Sequence, residues 1–242
     1  MSGCLVSSES PWGLSAVERR STTDQVIGEL RTAIITGRIK PNEPLRETSL
    51  AQIMGTGRSS VREAIRHLIG EGLVQYRPNR GAFVREITED EAYDVYLARE
   101  AIEVAAVAHA FDRRGGLDLS PLEAKLHQLI LAAADTPDRQ PAGTELVAAD
   151  LDFHREMVRL ADSPRLTRAH ETVAAEAQML MHHQPVYPLT DYAGDHRILF
   201  EAIVERDPAA SEKIRQHLRL SAQLIVGEIH RIAARRPARE RV

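Results

Sequence analysis

Three arginines, Arg58, Arg62 and Arg66, recur every four residues between Gly57 and Gly72, so on a helix they form one cationic stripe. Val61, Ala64, Ile65, Leu68 and Ile69 form the opposite, apolar face, which leaves one side to pack and the other to bind. Guanidinium groups in such a row pair bidentately with guanine O6 and N7, or hold phosphate oxygens. Alone, an arginine stripe is also what a solvated helix face looks like, so its neighbours decide. They are a short apolar segment from Leu45 to Met54, a tight Gly55-Thr56-Gly57 turn, and Arg77 and Arg80 beside Gly81 in a turn-rich tip. That order reads as a helix-turn-helix whose second helix enters the major groove, followed by a basic hairpin wing.

A second set of groups has metal chemistry. Asp150 and His154 lie four apart and project from one helix face, while His196 opens another helical stretch and His217 lies on the last. One carboxylate and three imidazoles suit zinc first, with nickel, iron or manganese as alternatives. On spacing alone the same residues also read as a solvated pair with scattered surface histidines. Cys4 is the sole cysteine, which excludes an intrachain disulfide and argues against thiol chemistry.

The elements that would position these groups follow from periodicity. Val26, Ile27, Leu30, Ala33 and Ile34 predict a helix from Asp24, capped by Thr23 or Asp24 and stopped by Gly37 and Pro41. Short helices over Leu45 to Met54 and Ser59 to Glu71 come next, then strands over Leu73 to Tyr76 and Ala82 to Arg85. Six Ala- and Leu-rich helices are expected near Glu89 to Arg113, Pro121 to Ala134, Thr144 to Leu160, Arg165 to His183, Tyr192 to Glu205 and Ala209 to Ala234. Their breaks are Gly115-Gly116, Pro137 to Gly143, Asp162-Ser163-Pro164, Gln184 to Pro188 and Asp207-Pro208. The fold class is therefore mainly α: an N-terminal winged helix-turn-helix domain followed by an all-α antiparallel bundle. Residues 1–21 are expected to be an unstructured tail, 22–86 the DNA-binding domain, 87–91 a linker, 92–234 the helical domain and 235–242 a basic tail.

Composition narrows the classes. The 242 residues are 43% hydrophobic and 27% charged, which excludes a collagen, a coiled coil and a disordered chain. The longest apolar stretch, Val104 to Phe111, is too short for a membrane span and contains His109. Cytoplasmic location is the expectation. The net charge of −4 is uneven: residues 22–86 carry +3 and residues 87–242 carry −7, so a small basic module precedes a larger acidic one.

Longer motifs carry a family resemblance. Leu45-x-Glu47-x-x-Leu50-Ala51, Arg58-Ser59-Ser60-Val61-Arg62-Glu63-Ala64-Ile65-Arg66-His67-Leu68, Glu71-Gly72-Leu73-Val74 and Asn79-Arg80-Gly81-Ala82-Phe83-Val84 resemble the winged-helix domain of GntR-type bacterial transcription regulators. The resemblance covers residues 22–86. It implies a DNA-facing set of Thr48, Arg58, Ser59, Arg62, Arg66, Arg80 and Gly81: Arg58 and Arg62 touch the operator, Arg66 and Thr48 lie nearby, and Arg80-Gly81 forms the wing tip. Two residues depart from the pattern. Asn42 follows Pro41 where the family usually has Gly, and Gly57 stands where it has Ser or Thr.

Downstream, Asp150-x-x-Phe153-His154-Arg155, Asp195-His196-Arg197-Ile198-Leu199, Arg206-Asp207-Pro208 and Arg215-x-His217-Leu218 resemble the FCD effector domain of the FadR branch, over residues 92–230. In its metal-binding members these positions are the ligands, which implies Asp150, His154, His196 and His217 here. Arg99 matches an arginine that faces the effector pocket; its other reading is a surface ion pair with Glu103. His182 and His183 read as helix-end residues. The resemblance implies a homodimer on double-stranded DNA with a two-fold symmetric operator, a small carboxylate effector, no membrane and no catalysis. Two rivals are a metal-free sensor of a bulky ligand and a metallohydrolase. The second needs a positioned base, and Asp152 and Glu156 fall about 100° or more of helical turn from the ligands.

Overall fold

The computed structural model describes residues 21–113, 115–134, 144–183 and 192–235. The expected tail over residues 1–20, the breaks at Pro137 to Gly143 and Gln184 to Pro188, and the basic end beyond Arg235 lie outside the described residues. Helices α1 (Thr22–Ile35), α2 (Glu47–Ile53) and α3 (Arg58–Gly70) precede strands β1 (Val74–Arg77) and β2 (Gly81–Val84). Then come α4 (Glu89–Asp112), α5 (Ser120–Ala134), α6 (Thr144–Arg159), α7 (Pro164–His183), α8 (Tyr192–Val204) and α9 (Ala210–Arg235). The mainly helical class, with a wing after the helix-turn-helix, is what the pattern predicts.

Helix α1 buries the apolar stripe read from the sequence, but neither Thr23 nor Asp24 caps it. Ser21 does. Its hydroxyl accepts from the Asp24 N–H at 3.2 Å, and the Asp24 carboxylate accepts from the Ser21 N–H at 3.1 Å, a reciprocal capping box. Helix α3 buries Val61, Ala64, Ile65 and Leu68 and starts at Gly57 without a side-chain cap, the consequence of the missing hydroxyl. Asn42 has φ +65°, the left-handed region that explains why glycine is usual there and which asparagine tolerates best among other residues. Its side chain is braced between Arg77 and Glu86.

The wing is an antiparallel pair running from Val74↔Val84 to Arg77↔Gly81. Leu45 N–H donates to the Ala82 carbonyl at 2.8 Å and Val84 N–H to the Glu43 carbonyl at 3.0 Å, which ties the segment before α2 to β2 and fixes the wing against α2. Only Arg85 to Thr88 separate β2 from α4, which opens with a second capping box between Thr88 and Glu91. Helix α4 packs against α6, α7 and α9, α5 against α6 and α8, and α1 touches α7. One apolar cluster extends from Val26 in α1 to Val226 in α9, so the two modules share a core. Arg85 reinforces the junction, donating to Glu91 and to Glu176 of α7 at 2.8 Å each. No helix among the described residues is long and apolar enough to cross a membrane.

Candidate functional site

Three helices of the bundle converge on the predicted ligands. Helix α6 carries Asp150 and His154 one turn apart on its buried face, α8 brings His196 and α9 brings His217. One ligand atom from each lies within 4.8 Å of the other three. Asp150, His154 and His196 are buried and His217 is half-buried. The ring centroids of His196 and His217 stand 4.7 Å apart and those of His154 and His217 5.2 Å. Phe153 meets His154 and His196 edge-on and forms an apolar wall.

The outer contacts assign the tautomers. His154 Nδ1 lies 2.7 Å from Glu103 Oε2, and a carboxylate only accepts, so Nδ1 carries the proton. His196 Nδ1 lies 2.9 Å from the Tyr192 carbonyl and must likewise donate. Both Nε2 atoms therefore turn lone pairs inward, where they are buried without a hydrogen-bond partner. His196 Nε2 also sits 2.9 Å from Asp150 Oδ1, which accepts the Tyr192 hydroxyl at 2.6 Å. Two acceptors that close repel unless a proton or a metal cation lies between them. Three imidazoles with a carboxylate are a donor set for the cation, and the pairing of ligand histidines with outer acceptors is how such ligands are oriented.

Electrostatics favour the ligating forms. Burial holds His217 well below the ordinary imidazole range, with His196 and His154 adding to the effect, and burial likewise lowers His154. Burial would raise the Asp150 carboxyl, but it is held below the usual range, with the positive charge of Arg99 contributing. Neutral imidazole and carboxylate are the forms that bind metal.

Behind the cluster is a hub that sequence spacing does not reveal. Glu103 of α4 accepts from Arg99 Nε at 3.0 Å, His170 Nε2 of α7 at 3.0 Å and His154 Nδ1. The Arg99–Glu103 pair exists, but it is buried rather than at the surface: Arg99 is 1% exposed. Arg99 Nη2 is buried with no partner, and its guanidinium lies over the Tyr96 ring at 5.1 Å. The contacts from Glu103 to His154 and His170 span 51 and 67 residues, which leaves no local signal for them. Tyr192 carries no sequence signal either, because a single tyrosine at a helix start has no motif. Asp152 pairs with Lys125 and Arg155, and Glu156 with Arg159, so neither faces the cluster. His182 is half-buried in the last turn of α7, and the His183 side chain lies outside the described residues.

The second site is on the N-terminal module. A groove of about 810 Å³ between α3, the wing and the start of α2 gathers Arg62, Arg66, Arg80 and Gly81 from the predicted set. Thr48, Arg58 and Ser59 are exposed on the first turns of α2 and α3, beside that lining. The groove also holds Arg46, Tyr76 and Glu47, which the arginine stripe did not point to. Arg62 donates to Glu47 from both Nε (3.0 and 3.1 Å) and Nη2 (2.7 Å). That hydrogen bonding, together with the charges of Arg62, Arg58 and Arg66, holds the Glu47 carboxyl below its usual range. At the wing, Arg77 and Arg80 lie over the Phe83 ring at 4.7 and 5.5 Å, and φ of +61° at Asn79 and +91° at Gly81 turns the tip.

These two sites coincide with two family matches. Residues 22–84 match the bacterial regulatory proteins of the gntR family, and residues 94–220 match the FCD domain. An HTH-type transcriptional regulator in an unstable DNA locus of Streptomyces ambofaciens, itself uncharacterized, is 31% identical over 229 residues, covering 90% of this chain and 89% of that one. The HTH-type transcriptional repressor GlaR of Escherichia coli K12 is 31% identical over 197 residues, covering 78% and 89%. Among solved structures, a transcriptional regulator GntR from Rhodococcus sp. RHA1 superposes with a TM-score of 0.73 at 27% identity, covering 85% of this chain and 97% of that one. The relatives are transcription regulators rather than enzymes, so a winged helix with a basic groove and a helical domain with a buried polar site have one reading: the chain belongs to the gntR family and is a DNA-binding transcription regulator with an FCD effector domain.

Proposed function

We propose that Asp150, His154, His196 and His217 hold a divalent transition metal, zinc foremost, and that a small organic acid binding there alters the affinity of a homodimer for a two-fold symmetric operator. The observation that carries this is the pair of buried Nε2 lone pairs on His154 and His196 facing the Asp150 carboxylate. When bound, the metal would supply a Lewis-acidic centre for a carboxylate oxygen, since zinc can expand beyond four ligands and nickel, iron or manganese accept more than four. Glu103 and the Tyr192 carbonyl keep the two imidazoles in the ligating tautomer. Arg99 Nη2, buried and unpartnered, suits a second carboxylate of the same acid.

On the DNA side, Arg58, Arg62 and Arg66 read or grip the major groove with Thr48 and Ser59 beside them, and Arg80-Gly81 tracks the backbone. A regulator of this kind works in the cytoplasm. A dimer is supported by an apolar stripe: Tyr93 and Leu97, one turn apart on α4, are 49% and 62% exposed beside a groove of about 520 Å³ shared with α9. Native mass spectrometry of protein purified without a His tag tests the reading, with two chains and one metal per chain expected. A metal-free protein of normal stability rejects the site.

A further inference from the structure

A carboxylate is out of place in a groove built to meet phosphates. Glu47 is the one acidic side chain among the described lining of the groove, which Arg46, Arg62, Arg66 and Arg80 also line. Its negative charge opposes the non-specific attraction on which DNA affinity largely rests. As a structural tie between α2 and α3 it is modest, because 30% of its side chain and 48% of that of Arg62 are exposed. An exposed ion pair of this kind contributes little to stability, so stability does not account for a residue that weakens the groove's field.

The geometry of the contact offers another role. Glu47 engages the Nε–Nη2 edge of the Arg62 guanidinium, using the Nε–H and one Nη2–H. A guanidinium has five donors in a rigid plane, so three remain: the second Nη2–H and both on Nη1. These form the end of the fork, the edge that matches guanine O6 and N7. An unrestrained arginine on a groove floor swings freely and takes whatever phosphate is nearest. Held along one edge, it presents the other in a fixed plane before DNA arrives, which lowers the ordering cost of a base contact and withholds the side chain from the backbone.

We infer that Glu47 is a specificity-determining positioning residue, which holds Arg62 end-on to a guanine and lowers binding to all other DNA. The inference rests on Arg62 being a base reader. The role is distinct from a stabilising salt bridge because it raises selectivity while reducing overall affinity.

The test compares two duplexes at fixed salt: one enriched from a random pool by the wild-type protein, and a scrambled duplex of the same composition. Glu47→Ala and Glu47→Gln both remove the charge, so both tighten binding to the scrambled duplex by a similar factor. The ratio of enriched to scrambled affinity falls about ten-fold in Glu47→Ala, within the range of one bidentate base contact. It falls less in Glu47→Gln, whose amide oxygen still accepts from Arg62. In an Arg62→Ala background, Glu47→Ala lowers the ratio no further. Thermal melts check folding, and the isosteric Gln variant carries the test if the Ala variant is unstable. If both duplexes bind more tightly by the same factor in either variant, Glu47 is merely a charge and the inference fails while Arg62→Ala still loses selectivity. If Arg62→Ala itself leaves the ratio unchanged, the base contact and the inference fall together.

Discussion

Arg62 and Arg80 face the same groove and are expected to fail differently. Loss of a base contact costs about 1–3 kcal/mol at the operator and relaxes preference at one position, whereas loss of a phosphate contact weakens every sequence alike. Arg62→Ala should therefore show the first pattern and Arg80→Ala the second, measured by fluorescence anisotropy on operator and scrambled duplexes. At the proposed metal centre, the decisive residue for orientation is Glu103. Replacing it with Gln removes the charge that accepts from His154, His170 and Arg99, and the affinity for zinc should fall about 10- to 100-fold by competition with a chromogenic chelator. Wild-type zinc affinity in that variant would mean His154 is oriented by packing alone. Asp150 and His154 were legible because helical spacing puts them on one face, and His196 and His217 because their flanking residues match a family pattern. Glu103 as a hub was not legible, since its histidine partners lie on other helices far along the chain, and the Arg99–Glu103 spacing says nothing of burial.

The helices themselves follow their apolar periodicity to within a residue or two, and misreadings occur where a single polar contact decides. Ser21 looked like the end of a polar tail, yet its hydroxyl begins α1, because capping depends on one hydrogen bond rather than on a pattern. Gly72 stops the helical chain just past α3, with φ +76°. It has a second role in the bundle: a Cβ there would run into Glu176 Oε1, whose carboxylate is held by Arg85. Gly72→Ala should thus lose more than the ~1–2 kcal/mol of a left-handed backbone alone, seen as a lowered urea midpoint. A loss of less than ~1 kcal/mol would show that Glu176 moves aside freely. Helix α7 reaches from this junction to His170 at the Glu103 hub, so the element that touches the end of the recognition helix also touches the back of the Asp/His cluster.

At the scale of the molecule, the proposed function makes metal, dimer and DNA linked equilibria. A metal shared by α6, α8 and α9 would stabilise the folded state, so prolonged chelation should lower the melting temperature, and His196→Ala should do so without chelator. His127→Ala and His230→Ala are controls, with no expected response. Leu97→Glu on the exposed α4 stripe should yield a monomer by light scattering and weaken operator binding, because one recognition helix then meets one half-site. Unchanged mass would place the dimer contact elsewhere.

An acid at the metal changes operator affinity only by favouring one arrangement of the two domains over another, a coupling typically about 1–3 kcal/mol. The short Arg85 to Thr88 connection and the shared core give that rearrangement a route. The most direct measurement is operator affinity of the metal-loaded protein across a panel of di- and tricarboxylates and hydroxy acids, repeated with Asp150→Ala. At least one acid should raise the melting temperature and shift operator affinity about 5- to 150-fold, with both effects lost in Asp150→Ala while ligand-free DNA binding is kept. An acid that stabilises the protein through this site yet leaves operator affinity unchanged would contradict the account.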